Sequence, residues 1–478
     1  TLAVIDFFRK ALSKMIPKSN IEKRLNISIA TSAVMDRGIE LWSMMYENNP
    51  PWRGGDAGVI PLNLPAAISE EMARLVLTEF SIELTGSARA DYLNKQLKNN
   101  LVNLSDHMEL FCAKGGICLK PFISTGGTID IDFTQADRFF PTAYNSNKEI
   151  TGAVFVDSKR QGDYVYTRLE SHNLNGTDYT IVNKAFRSER LTGQAPDDDF
   201  ISVQYPYQTP VPLSEVEEWA SLSEEPVVIN NVEKPLFVYI KMPRANNLDP
   251  NSPLGTSVYS RATEVIEQAD RQFSRILWEY DATEAAIHAS ADMFDSDKSG
   301  KPILPAGRER LYRAFDFESK ESFLKEYAPE IRSDPLFKGL NKYFQRIEFL
   351  VGLSYGTISD PQDIEKTAEE IRTSKQRSYT VVSRIQSAWD NGFDALIYAM
   401  DVLCTLYNLA PTGGTEKATT WGDGVLEDTD KEYQRRWAMV LAGKYKLEKF
   451  YAWYFGCSEE EAKEMIPEAP AGNYPPEE

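Results

Sequence analysis

The feature that most narrows the possible folds is a helical pattern of unusual length in the last third of the chain. Ile364, Ala368, Ile371, Val382, Ile385, Trp389, Leu396, Leu403 and Leu406 fall at helical spacings. Asp360 is placed to cap the start, Pro361 suits the first turn, and Pro411-Thr412-Gly413-Gly414 stops the run. Unbroken, this helix over 361–410 would be roughly 70 Å long at about 1.5 Å per residue. Few compact enzymes need such an element. Strict heptads are not sustained, which makes a simple coiled coil the weaker account, and Gly392 is the expected kink.

Two shorter helical patterns precede it and bracket an insert. Val258, Ala262, Val265, Ala269, Phe273, Ile276 and Tyr280 share one face of a helix that follows the cap-rich PNSPLGTS and extends to about residue 287. Leu336, Leu340, Phe344, Ile347 and Val351 mark a second, over about 335–351, with Ser333 or Asp334 as cap and Pro335 in the first turn. Residues 288–333 between them carry their own turn signals, DSDKSGKP, and a short amphipathic piece, ESFLKEY. The helices therefore frame a projecting module.

Further upstream, residues 2–15 place Ile5, Phe8, Leu12 and Met15 on one helical face opposite Arg9, Lys10 and Lys14, which fits docking on the protein's own body better than on a membrane surface. From Asn20 to about Leu110 the period stays helical, broken by NNPPWRGGDAGVIPLNLP, which reads as a flexible insertion. After Gly115-Gly116 the period changes to two. ICLKPFIS, TIDIDFT, GAVFVDS, DYVYTRLE and DYTIVNKAFR predict an antiparallel meander that resumes at PLFVYIKMP after the helical-looking SEVEEWASL. Residues 1–250 thus read as one α+β domain, and the whole chain as α+β, mainly helical. The C-terminal part predicts two or three short helices, the last capped by Ser458 over Glu461, and then a frayed tail, EAPAGNYPPEE.

Most of the chemical motifs fail on their context. GLSYG at 352–356 matches the G-x-S-x-G turn that lifts a nucleophilic serine, yet that turn must follow a strand, and its histidine must come later in the chain. Here a helical pattern precedes Ser354, and His107, His172 and His288 all lie before it. DSDKSG imitates the opening of a calcium loop, but the twelfth position is Ala306 and Pro302 interrupts it. The acidic PDDDF at 196–200 has no second cluster, and neither GGTEKATT nor RGGDAG has a phosphate-loop spacing. Cys112, Cys118, Cys404 and Cys457 are scattered without a C-x-x-C pair and read as buried thiols. The expectation is a structural protein without catalytic residues, cofactor or metal.

Charge and hydropathy bound the rest. Apolar residues make up 42% of the chain, enough for a sizeable core, and no run of eighteen apolar residues or signal-peptide pattern is present, so neither secretion nor a membrane span is expected. Lys+Arg 52 against Asp+Glu 71 gives a net charge of −19, which opposes free, strong association with nucleic acid.

Helix, insert, helix, loop and long helix in this order, together with GGICLKPFIS, YTRLESH, KPLFVYIKMPRANNLDPNSPLGTSVYSRATEVIEQADRQFSRILWE, APEIR and VGLSYGTIS followed by KTAEEI, resemble the portal proteins of tailed bacteriophages, in particular those of siphophages infecting Gram-positive hosts. The likeness spans about residues 100–465. It implies a ring, typically of twelve subunits, at one vertex of the capsid, through which double-stranded DNA is packaged, retained and ejected. The portal fold it implies has a wing over 1–254, stem helices over 255–287 and 334–352, a clip over 288–333 and a tunnel loop over 353–360. The long helix over 361–410 and a crown with the tail over 411–478 complete it. The resemblance points Ser354, Tyr355, Gly356, Thr357, Ile358 and Ser359 at DNA. It also makes Asp295, Lys298, Lys301, Arg308 and Arg310 the clip candidates for docking the terminase large subunit or a head-completion adaptor. Scaffold and major capsid protein are the other implied partners; the implied place is the portal vertex of the virion, after synthesis in the host cytoplasm. Four hydroxyls and no Lys or Arg in the loop would make contact with phosphate weak and sequence-blind, and would let DNA slide. The competing readings are a serine hydrolase using Ser354 and a helical adaptor that forms no ring.

Overall fold

The computed structural model describes residues 18–54, 58–124, 126–162, 164–189, 209–284, 286–290, 294–295, 301–304, 312–315, 324–327, 330, 333–360, 368–422, 429–455 and 458–466. The expected amphipathic segment over 2–15, the acidic run at 196–200, the start of the long helix at Pro361 and Ile364, and the Pro/Glu-rich tail lie outside these residues. The chain forms two compact units, residues 1–421 and 422–478.

In the first unit, α1 (Lys18–Leu25), α2 (Ala33–Tyr46) and α3 (Leu64–Leu77) lead to a short strand, β1 (Ser81–Thr85), and two more helices, α4 (Ala88–Asn100) and α5 (Leu104–Lys114). The Ser32 hydroxyl caps α2 by accepting the Met35 N–H, and the helix buries Met35, Ile39, Trp42 and Met45. Strand β1 departs from the purely helical expectation. Its alternation buries Ile82 and Leu84, and its partner, β14 (Glu416–Thr420), comes from the far end of the unit. A five-residue strand between two helices has too short a period-two signal to stand out when its partner is over 300 residues away.

The expected meander divides into two sheets. Strands β2 (Gly116–Ile123), β3 (Ile129–Gln135) and β10 (Val238–Lys241) form one in the order β10-β2-β3. Strands β4 (Phe139–Tyr144), β5 (Ile150–Gln161), β6 (Tyr164–Asn175), β7 (Asp178–Glu189) and β8 (Thr209–Val211) form the other, with β9 (Val227–Ile229) on β7. SEVEEWASL makes two 3₁₀ turns, Leu213–Glu215 and Glu217–Trp219, rather than a helix.

A buried charge network couples the two sheets. Lys120 on β2 pairs with Glu170 on β6 at 2.6 Å, His172 Nε2 lies 2.8 Å from the other Glu170 oxygen, and the Tyr179 hydroxyl on β7 lies 2.7 Å from His172 Nδ1. Burial pushes the Glu170 carboxyl up, but Lys120, His172 and Arg168 outweigh it and hold the group well below the usual carboxylate range. Burial depresses His172 against the opposing pull of Glu170. Burial of Cys112, Cys118 and Cys404 agrees with their reading as thiols of the core.

Helix α6 (Thr263–Ala282) ends earlier than the expected 287, because residues 286–290 form β11 (Ala286–Ser290). β11 lies between β12 (Tyr312–Phe315), parallel to it, and β13 (Leu324–Tyr327), antiparallel; the chain then enters α7 (Ser333–Val351). Among the described residues the insert contains a small three-stranded sheet. The Pro/Gly-rich loop before α3, read as flexible, is strapped to α6: Trp52 Nε1 and the Leu62 N–H both donate to Asp270, at 2.7 and 2.9 Å. Burial raises the Asp270 carboxyl, and those two bonds oppose the shift.

The long helix, α8 (Ala368–Leu406), runs 39 residues without interruption, about 58 Å at 1.5 Å per residue. Gly392 does not break it. A Cβ at that position would collide with the Ile240 side chain, so the glycine lets β10 lie against the helix. Trp389 and Phe393 are fully buried on this face, and Phe111 meets Trp389 edge-on at 5.5 Å. The C-terminal end is closed by Arg89, itself 2% exposed, which donates to the carbonyls of Asp401, Ala410 and Pro411, to the Asp401 carboxylate and to the Thr405 hydroxyl. One guanidinium thus ties the last turns of the helix to the segment that follows it.

The second unit holds α9 (Thr429–Leu441), α10 (Leu447–Phe455) and α11 (Glu459–Glu464). Ser458 and Glu461 form the expected capping box. Phe450 is buried beneath Tyr433, Trp437 and Tyr454. No helix among the described residues is long and apolar enough to cross a membrane.

Candidate nucleic-acid interface

The loop over 353–360 leaves α7 through Gly352, whose φ of 92° lies in the left-handed region that glycine tolerates. The N–H groups of Gly352 and Leu353 both donate to the Glu348 carbonyl, at 2.9 and 3.0 Å, closing the helix. A Cβ on Gly352 would stand 2.7 Å from Val381, so the start of the loop is also pressed against α8. A helix precedes the GLSYG turn, and this differs from the strand-to-helix elbow that exposes a nucleophile. His107 stacks on Phe133 at 3.9 Å and His172 is engaged with Glu170, so both are committed elsewhere.

The centre of the loop is organised by a residue the sequence reading did not single out. The Glu348 side chain is fully buried at the end of α7. Its Oε1 accepts the N–H groups of Gly356, Ile358 and Ser359 at 3.1, 2.7 and 2.9 Å, and its Oε2 accepts the Ser359 hydroxyl at 2.8 Å. A carboxylate inside a ring of converging amides is compensated for its lost hydration. Farther along, the Asp360 N–H donates to Asn341 Oδ1 at 2.8 Å. The residues expected to face DNA therefore divide. Ser359 is buried with its hydroxyl spent on Glu348, Ile358 is half-buried against the core, and Ser354 and Tyr355 are half-exposed. Gly356 and Thr357 form the exposed apex, where the Thr357 hydroxyl donates to the Ser354 carbonyl at 2.7 Å. Of the four hydroxyls, that of Ser359 is turned inward and spent on Glu348.

A signal for Glu348 is present in the sequence. Asn341 and Glu348 are seven residues apart and so occupy the buried side of a helix otherwise lined by Leu340, Ile347 and Val351. Of the clip candidates, Asp295 and Lys301 are exposed, whereas Lys298, Arg308 and Arg310 lie outside the described residues. Among the described residues no group of His, Cys, Asp or Glu is arranged to hold a metal ion.

Several of the quoted stretches meet in space. The Met242 N–H donates to the Gly115 carbonyl, the Val258 N–H to the Cys112 carbonyl and the Gly255 N–H to the Tyr239 hydroxyl, at 2.9, 2.9 and 3.2 Å. GGICLKPF, YIKMP and PLGTSVYS thus form one junction between the β10-β2-β3 sheet and the start of α6. Compared with known families, residues 58–469 match the family described as phage portal protein, SPP1 Gp6-like. No curated protein matches the chain significantly.

Proposed function

This chain belongs to the phage portal protein family, and from that premise we propose that its copies close into a ring, of about twelve subunits in the family pattern, around a channel for double-stranded DNA. In this reading residues 1–254 form the wing, α6 and α7 the stem, the β11–β13 sheet the clip, residues 353–360 the tunnel loop and residues 411–478 the crown. Residues 411–421 also tie back to the body, because β14 pairs with β1. The ring sits at the portal vertex of the virion, docks the terminase large subunit and head-completion adaptor through the clip, and contacts scaffold and major capsid protein.

One observation supports this reading above the others: an uncharged, exposed apex held at its base by Glu348, in the connection between α7 and the long α8. Such an apex can touch a passing polyanion without gripping it, since contacts without cations release few counterions. Its role is guidance, not bond cleavage. Electron microscopy of purified protein tests the reading: rings with a central hole are expected, and uniform monomers at high concentration across a range of salts refute it. The hydrolase alternative is separately addressed by an active-site phosphonate probe, for which no labelling of Ser354 is expected.

A further inference from the structure

The surfaces beside the loop are basic on a chain that is acidic overall. Residues 335–351 and 371–389 contain seven cations, Lys338, Lys342, Arg346, Arg372, Lys375, Arg377 and Arg384. Over α7 and the part of α8 up to residue 389 there are four acidic residues: Glu348, which is buried and bonded to the loop, Asp334 in the first turn of α7, and Glu369 and Glu370 at the start of α8. Lys338, Lys342 and Arg346 recur every fourth residue on the exposed face of α7, and Arg377 and Arg384 recur every seventh on α8. None of these five makes an ion pair with a carboxylate among the described residues. The stripes join at Phe349, 41% exposed, with the Arg346 guanidinium 5.2 Å from its ring centre and that of Arg377 at 4.4 Å. One nitrogen of the Arg377 guanidinium, Nη1, is buried with no hydrogen-bond partner among the described residues.

We propose that this stripe, Lys338-Lys342-Arg346 with Arg377 and Arg384, is a binding site for the phosphate backbone of double-stranded DNA. It supplies the charge that the tunnel loop lacks. Cations spaced about 6 Å apart along a helix can follow one strand of a duplex without reading bases. Contact with the Phe349 ring restricts the two guanidinium groups, so less side-chain freedom is lost when they engage phosphate. The inference rests on the portal reading for its choice of ligand. Contact at the loop would leave DNA free to slide, while the stripe would hold it in place in the filled particle.

The test measures binding of a short duplex to the purified protein over a salt series, with assembly followed by electron microscopy. Replacing Lys338, Lys342 and Arg346 together by Gln should weaken binding at least tenfold at about 0.1 M salt and flatten the log–log salt slope by one unit or more, with rings intact. Lys342→Gln alone, at an exposed site where the ammonium bonds Gln345, should give a smaller loss in the same direction and guards against misfolding of the triple variant. Unchanged affinity and slope in intact rings overturn the proposal. Loss of rings in the variants, with duplex binding by the remaining protein unchanged, also overturns it and assigns the stripe to the acidic face of a neighbouring copy. If the unaltered protein stays monomeric, the ring reading falls, while the same binding comparison still decides the stripe.

Discussion

Asn341 and Glu348 project from the same face of α7 and grip the loop at two points, Asn341 at the Asp360 N–H and Glu348 at the amides of Gly356, Ile358 and Ser359. The loop is therefore part of the helix's packing. An excision of residues 354–359, which looks harmless in the sequence, would strand a buried carboxylate.

Replacing Glu348 exposes that dependence. Glu348→Ala leaves three amides and a hydroxyl without their acceptor and is expected to lower stability by about 3 kcal/mol in denaturant titration. Hydrogen exchange should quicken at Gly356, Ile358 and Ser359. Glu348→Gln, which keeps one oxygen and the shape, should lose about 1 kcal/mol. Equal exchange rates in all three proteins would mean that the loop is held by something else.

The Glu170–His172 network predicts acid sensitivity with a definite sign. Both groups have folded-state pKa values below their unfolded ones, so each contributes stability at high pH that is lost as pH falls. His172 begins to act below its ordinary value of 6.5 and Glu170 below 4.5. Thermal midpoints should therefore decline from about pH 6.5 downward. In His172→Gln the decline between 6.5 and 4.5 should be shallower than in the parent.

Arg89 closes the C-terminal end of α8 from a buried position. Arg89→Ala removes every one of its bonds and should cost about 3 kcal/mol, with faster exchange over the last turn at Thr405 and Leu406. Arg89→Lys, which cannot reproduce the planar fork, is expected to recover less than half of the loss.

Gly392 and Ile240 form a contact suited to a double-mutant cycle. Gly392→Ala drives a methyl into Ile240 and should destabilise by about 1–3 kcal/mol despite the better helix propensity of alanine. Ile240→Val should cost less in the Gly392→Ala background than in the parent. Strict additivity would show that the helix and strand shift apart instead.

How much was legible depended on whether a signal was local. The framing helices and the mainly helical α+β class followed from apolar spacing at positions such as Leu340, Ile347, Ile385 and Trp389, because packing makes periodicity visible. Family membership was legible because several separate stretches agreed in order. The division of the meander into two sheets was not, since it rests on the distant pairing of Val238 with Leu119 within one sheet and on Lys120 meeting Glu170 between the two. Gly392 looked like a kink because a glycine's reason lies in its neighbour, Ile240. Glu348 was missed for the opposite reason to the hydroxyls around it: a charged residue on an apolar face looks like noise until its acceptor role is known, whereas Ser359 looked available to DNA and is not.

The pairing of Ser81–Thr85 with Glu416–Thr420 sets a condition on biosynthesis. The first strand waits for its partner until more than 330 further residues have left the ribosome, and among the described residues nothing nearer in the chain pairs with it. Closing so distant a contact is slow, and a waiting strand edge is prone to pair with the wrong chain. A polypeptide released before Glu416 would keep that edge open for good, so the body is finished only in molecules whose translation has run nearly to completion.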